Sequence, residues 1–247
     1  MYKILGLIPA RYSSSRLPGK PLRLIGNKPM IQHTYEAASK SIYLDKLVVL
    51  TDDEKIAEVV QKFGGEVSLT PSELSSGTDR CAYFCERNSE FDIIVNIQGD
   101  EPFIPREVID YSIKPLLQID EIQISTAASC ITDFEKISNP AITKVVLDEK
   151  GFALYFSRSI IPFYRDSNRE KLYLRHIGIY VYRREALLNI TKLPQTELEK
   201  IEQLEQLRML GNGYKIKVEL VDYDSISVDT EEDLVNANKY WEKISGN

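Results

Sequence analysis

An α/β fold with an open, mostly parallel sheet is predicted by three features of the 247-residue sequence. Short apolar runs alternate with helical patterns, glycines and prolines punctuate the joins, and no long linker or internal repeat interrupts the rhythm. With 43% hydrophobic and 28% charged residues, the chain is neither disordered nor fibrous nor a coiled coil.

Lys3 to Ile8 reads as a short buried strand closed by Pro9, followed by a polar loop to about Pro21 and a helix from about Pro29. The next units repeat that order. Leu47 to Leu50 is a strand, Glu54 to Phe63 a helix stopped by Gly64 and Gly65, and Glu66 to Leu69 a strand. A helix around Asp79 to Arg87 leads into Ile93 to Ile97, an apolar run suited to a strand covered on both faces, which ends in Gln98-Gly99-Asp100-Glu101-Pro102.

The middle is less regular. Ile122 to Cys130, Ile142 to Leu147 and Ile177 to Tyr182 read as strands, with Arg165 to Lys171 a polar loop, and together they suggest a mixed-sheet or dimer-forming insertion. Leu198, Ile201, Leu204 and Leu207 set an apolar stripe on one helix ended by Gly211 and Gly213, before a strand from Lys215 to Leu220. The last helix starts after Asp229-Thr230. The expected organisation is one domain over 1–247.

Lys and Arg number 31 against 37 Asp and Glu, a net charge of −6, which argues against a surface that collects nucleic acid. A polyanionic ligand must therefore meet a local basic cluster. Three cysteines do not suggest a secreted disulfide framework, and with only two histidines, His33 and His176, a zinc site lacks ligands. Cys81 and Cys85 are expected to be buried. The run Ile4 to Ala10 is broken by Gly6 and Pro9 and followed by Arg11 and Arg16, so neither an export signal nor a membrane span is expected, and a cytoplasmic location is.

In open parallel sheets ligands bind beyond the carboxyl ends of the strands. The loop after the first strand, Pro9 to Pro21, places Arg11, Arg16 and Lys20 among three serines and Gly19, a set that can wrap phosphate oxygens with charge-assisted bonds. It is not a Walker loop, since Ser14 takes the first glycine position and Pro21 stands where a Ser or Thr would bind magnesium. The plain alternative is a solvated basic loop. Asp100 and Glu101 follow an apolar strand, where a carboxylate can hold a divalent cation against phosphates; Asp229 can supply a second ligand. Their plain readings are a turn carboxylate and an ordinary helix N-cap. Ser76-Gly77-Thr78-Asp79-Arg80 opens a helix with donors and a cation, His176 reads as a core histidine, and Glu202 and Glu205 as a solvated face with a Glu205–Arg208 pair. The residues alone point to an α/β enzyme acting on nucleotide phosphates.

Taken in order, Ile8-Pro9-Ala10-Arg11, Arg16-Leu17-Pro18-Gly19-Lys20-Pro21, Ser76-Gly77-Thr78-Asp79-Arg80, Gln98-Gly99-Asp100-Glu101-Pro102, Tyr155-Phe156-Ser157-Arg158, His176-Ile177-Gly178-Ile179-Tyr180, Leu204-Glu205-Gln206-Leu207-Arg208 and Val228-Asp229-Thr230 resemble the 3-deoxy-manno-octulosonate (Kdo) cytidylyltransferases. The resemblance implies a Rossmann-like nucleotidyltransferase sheet, a homodimer, and the reaction of CTP with a keto-deoxy sugar acid to a CMP-sugar and pyrophosphate for lipopolysaccharide assembly. It implies that Ala10, Arg11, Ser14, Arg16, Lys20, Arg80 and Gln98 bind nucleotide, that Lys20, Asp100 and Asp229 are catalytic, and that Asp100 and Asp229 hold Mg2+. Leu74, Arg158, His176, Tyr180, Glu205 and Gln206 would line the sugar pocket. Leu74 stands where such enzymes usually carry His, and Ser227 where they tend to carry Gly. Both departures look like a branch that activates 8-amino-3,8-dideoxy-manno-octulosonate, the alternative substrate. A catalytically silent nucleotide-binding protein on the same scaffold is a further alternative, disfavoured by Lys20, Asp100 and Asp229 standing together.

Overall fold

In the computed structural model, residues 2–13, 16–166 and 170–246 are described, and contacts divide the chain into two compact units. One contains the chain up to Asp110 together with the part from Ser225 onward; the other is Tyr111–Asp224.

The first unit opens with β1 (Ile4–Pro9), whose residues are almost all buried. The basic loop ends in a 3-10 turn over Lys20–Leu22, and a small hairpin of β2 (Leu24–Ile25) and β3 (Lys28–Pro29) leads to α1 (Met30–Ala38). Then come β4 (Lys46–Thr51), α2 (Glu54–Lys62), β5 (Glu66–Leu69), α3 (Gly77–Arg87) and β6 (Ile93–Asn96). Asp53 caps α2 and Ser76 caps α3 through a capping box with Asp79, so both helix starts follow the side-chain chemistry expected of them. The strands stand in the order β6-β1-β4-β5, all parallel. That is the architecture expected from alternating strands and helices, because parallel neighbours need a crossover between them.

Helix α4 (Arg106–Gln118), which contains Pro115 and has no counterpart in the sequence reading, carries the chain into the second unit. There follow β7 (Ile124–Ile131), α5 (Phe134–Ser138), β8 (Lys144–Leu147), β9 (Ala153–Ser157), β10 (Tyr173–Arg183), α6 (Arg184–Ile190), α7 (Glu197–Glu202), α8 (Gln206–Gly211) and β11 (Ile216–Leu220). Strand β11 is parallel to β7, whereas β7–β10, β10–β8 and β8–β9 are antiparallel. The irregular middle is thus a mixed sheet, as its composition suggests. The expected polar loop at 165–171 includes residues 167–169, outside those described.

One helix was expected over the Leu198–Leu207 stripe; two form instead. Gln203 takes a left-handed conformation (φ 54°, ψ 47°) that ends α7, and α8 restarts from Glu205. Leu204 and Leu207 are buried while Leu198 and Ile201 are exposed, so the stripe does not persist along one face. The chain returns to the first unit with α9 (Glu231–Ser245). Buried Leu17, Ile25, Met30, Val228, Leu234 and Ala237 form one apolar cluster there, which fixes the basic loop and the approach to α9 on the same core. Cys81 and Cys85 are buried, and neither is in a disulfide among the described residues.

Candidate functional site

The first unit has a cavity of about 360 Å³ lined by Ala10, Arg11, Arg16, Lys20, Leu74, Arg80, Gln98, Asp100 and Asp229. Nine residues singled out from sequence therefore share one depression; Ser14, the tenth expected in this unit, lies outside the described residues. The carboxyl end of β1 places Ala10, whose N–H donates to the Leu50 carbonyl at 2.8 Å. Beyond it Leu17, fully buried, pins the basic loop, and Gly19 turns the chain with φ 64°, a conformation open to glycine at little cost. A Cβ on Gly99 would lie 2.9 Å from the Pro9 carbonyl oxygen. Only glycine at that point lets the Gln98–Asp100 turn approach the end of β1 so closely.

The Lys20 ammonium donates to Asp100 Oδ2 at 2.7 Å and to Asp229 Oδ1 at 2.9 Å. Arg16 donates to the other Asp229 oxygen at 3.1 Å. Asp229 is delivered by a tied strap: Ser225 donates its hydroxyl to Glu101 at 2.5 Å, and the Val228 N–H to the Asp100 carbonyl at 3.0 Å. The helix cap is Thr230, in a capping box with Asp233. Asp229 is therefore not spent as an N-cap and presents its carboxylate to cations. Burial works against its charge, but Lys20 and Arg16 outweigh it and hold the carboxyl below the usual range. Burial likewise opposes the Lys20 charge, yet Asp100 and Asp229 raise its pKa.

Two carboxylate oxygens meeting on one cation test the fit of a divalent metal. The Lys20 ammonium marks a point that both Asp100 and Asp229 reach. Among the described residues no cluster of three or more His, Cys, Asp or Glu forms a metal cage. A hard cation held by two carboxylates and completed by phosphate oxygens matches that donor set. Arg80, 2% exposed, is fixed by Asp52 at 2.7 Å, Thr70 at 2.6 Å and the Pro71 carbonyl at 3.1 Å. Asp52, in the Thr51-Asp52-Asp53 run, received no role from the sequence because its part depends on Arg80 of α3 reaching the loop after β4.

The second unit holds Arg158, His176, Tyr180, Glu205 and Gln206. The β7–β10 register slips between Ile177 and Tyr180, a bulge that brings the His176 and Tyr180 rings to 5.3 Å between centroids; four regular strand residues span about 13 Å. Burial, then Arg175, lowers the His176 pKa to about 3. Burial, reinforced by Glu205, raises that of Tyr180, so His176 is neutral and Tyr180 a phenol. The buried Tyr180 hydroxyl has no hydrogen-bond partner among the described residues.

Arg158 is braced from several sides. Its Nε donates to the Glu202 carbonyl at 2.7 Å and its terminal nitrogens to Pro140 at 3.0 Å and Gln203 at 3.3 Å. The Glu202 carboxylate accepts from the Arg158 N–H at 2.9 Å and the Ser157 hydroxyl at 2.6 Å. Glu202 is thus an anchor, not part of a solvated face. Among the described residues, two of the five N–H hydrogens of the Arg158 fork keep no acceptor. Arg208 forms a bidentate pair with Glu199 at 2.8 and 2.5 Å. Fully buried Lys144 donates to the Asn139, Ile142 and Arg158 carbonyls at 3.1, 2.6 and 2.6 Å, a second brace that composition and spacing did not reveal.

A parallel α/β unit with cations and convergent carboxylates beyond its strand ends defines an enzyme that handles nucleotide phosphates. The model of the cytidylyltransferase family matches residues 5–216. A protein of Solibacter usitatus named 3-deoxy-manno-octulosonate cytidylyltransferase is 45% identical over 97% of this chain and 94% of its own length. One of the same name from Fusobacterium nucleatum is 46% identical over 96% of each. A solved structure described as CMP:2-keto-3-deoxy-manno-octonic acid synthetase complexed with CTP superposes with a TM-score of 0.93 at 39% identity, covering 98% of this chain and 99% of that one. The chain belongs to the cytidylyltransferase family and is a nucleotidyltransferase.

Proposed function

We propose that the protein activates 3-deoxy-D-manno-octulosonate with CTP, giving CMP-Kdo and pyrophosphate for lipopolysaccharide synthesis. The sugar's anomeric hydroxyl attacks the α-phosphorus of CTP, a P–O bond forms, and the bond to the β-phosphate oxygen breaks as pyrophosphate leaves. The observation that carries the reading is the meeting of Asp100 and Asp229, from distant parts of the sequence, on one cation among the phosphate-loop residues. The naming of nearly full-length relatives favours Kdo over its 8-amino analogue and over a silent binding protein.

In this reading Arg11, Arg16 and Lys20 neutralise the triphosphate, and Ala10, Ser14, Arg80 and Gln98 contact the nucleotide. Asp100 and Asp229 hold Mg2+, which when bound screens phosphate oxygens that would repel the nucleophile. Arg158 offers its two remaining N–H donors to the sugar carboxylate, a bidentate match. His176, Tyr180, Glu205 and Gln206 position the sugar hydroxyls, the unpartnered Tyr180 phenol being a ready donor, and Leu74 bounds the sugar. The chain 1–247 works as one nucleotidyltransferase domain, as a homodimer in the cytoplasm. Exposed Phe163 (88%) and Ile201 (74%) offer apolar surface to a second copy, and among the described residues no cysteine forms a disulfide and no helix is long and apolar enough to cross a membrane.

The test is kcat/KM for each nucleoside triphosphate with Kdo, and for Kdo against 8-amino-Kdo with CTP. CTP and Kdo should be preferred; preference for another nucleotide, or for the amino sugar, overturns the assignment.

A further inference from the structure

Thr126 is fully buried on β7 and its hydroxyl meets three groups across the β10 bulge: the Ile179 carbonyl at 2.6 Å, the Ile177 carbonyl at 3.3 Å and His176 Nε2 at 3.0 Å. A hydroxyl has one proton to give. The short contact to Ile179 takes it, so the oxygen accepts from His176, and Nε2 must carry the ring proton. The neutral ring then holds its lone pair on Nδ1, which has no hydrogen-bond partner among the described residues, the ring's one such contact being through Nε2. Tyr180, 5.3 Å away between ring centroids, supplies a buried O–H that is also unpartnered. An acceptor and a donor side by side complement a hydroxyl-bearing ligand.

We infer that Thr126 is a positioning residue that fixes the Nε2–H tautomer of His176 and the bulge beneath it, making Nδ1 an acceptor that selects a hydroxyl of the sugar acid. The inference rests on the sugar-binding reading above. With the other tautomer, Nδ1–H would face that hydroxyl and the Tyr180 donor together, leaving the site with two donors and no acceptor.

The chain has two histidines, so side-chain 15N resonances of the full-length protein can be read directly, with His176→Gln identifying the His176 signals. Wild type should show Nε2–H and a lone-pair Nδ1. Thr126→Val, which keeps the shape and removes the hydroxyl, should lose that tautomer bias and lower kcat/KM for Kdo about tenfold, with the KM for CTP unchanged. Thr126→Ser should restore both. An Nδ1–H tautomer in wild type, unaltered Kdo kinetics in Thr126→Val, or a Thr126→Ser variant as impaired as Thr126→Val would overturn the inference. Should Thr126→Val not fold, the wild-type tautomer and Thr126→Ser still decide. Failure of wild type to make a CMP-sugar refutes the function while the tautomer still judges Thr126.

Discussion

The Lys20 ammonium joins carboxylates 129 residues apart in sequence (229 − 100), and this contact is what the proposed phosphate site is built on. Arg16 lies on the same carboxylate. If these cations face the β- and γ-phosphates, Lys20→Ala and Arg16→Ala should weaken CTP far more than CMP. Charge-assisted bonds contribute about 1.5 to 3 kcal/mol each, or about ten- to a hundredfold in affinity. Calorimetry showing equal losses for both nucleotides would move the two residues off the triphosphate. Individual side chains differed in legibility. Arg11, Arg16 and Lys20 stood out because three cations in one loop are unusual in an acidic chain. Asp229 was ambiguous from sequence, since an acid before Thr230 reads equally as an N-cap; the Thr230–Asp233 capping box resolves it. Thr126 and Lys144 gave no signal, because a buried Thr on a strand and a Lys among apolar residues acquire partners only through tertiary packing.

At the scale of elements, the alternation of the first unit was readable because β1, β4 and β6 are largely apolar and buried and α2, α3 and α9 are capped by Asp53, Ser76 and Thr230. The second unit was harder. Register slips such as the β10 bulge are set by cross-strand pairing, which a single segment does not encode. The break between α7 and α8 was missed because Gln203 is not a residue that announces a left-handed turn. That turn aims the Glu202 and Gln203 carbonyls at Arg158, immediately ahead of Glu205 and Gln206. A non-glycine residue there costs on the order of 1 kcal/mol. Gln203→Gly should therefore leave the thermal midpoint unchanged or raised, and Gln203→Val should lower it by several degrees. A Gln203→Gly protein clearly less stable than Gln203→Val would show that the Gln203 side chain, which donates to the Lys200 carbonyl at 2.7 Å, matters more than backbone strain.

For the whole molecule, clustered cations and carboxylates stand in one unit, and a braced arginine with a neutral His–Tyr pair in the other; the proposed function assigns the nucleotide to the first set and the sugar acid to the second. Fold class and chemistry followed from order and spacing, whereas the substrate rested on motifs read together. The most direct measurement is pyrophosphate release from CTP, Mg2+ and Kdo, with the nucleotide product identified by mass, for the parent and for Asp229→Asn. The parent should release one pyrophosphate for each CMP-Kdo formed, and Asp229→Asn should keep its fold by circular dichroism while losing most turnover, since a lost ligand charge weakens metal binding and transition-state neutralisation together. A parent that makes no CMP-Kdo, or an Asp229→Asn protein with near-normal turnover at limiting Mg2+, would contradict it.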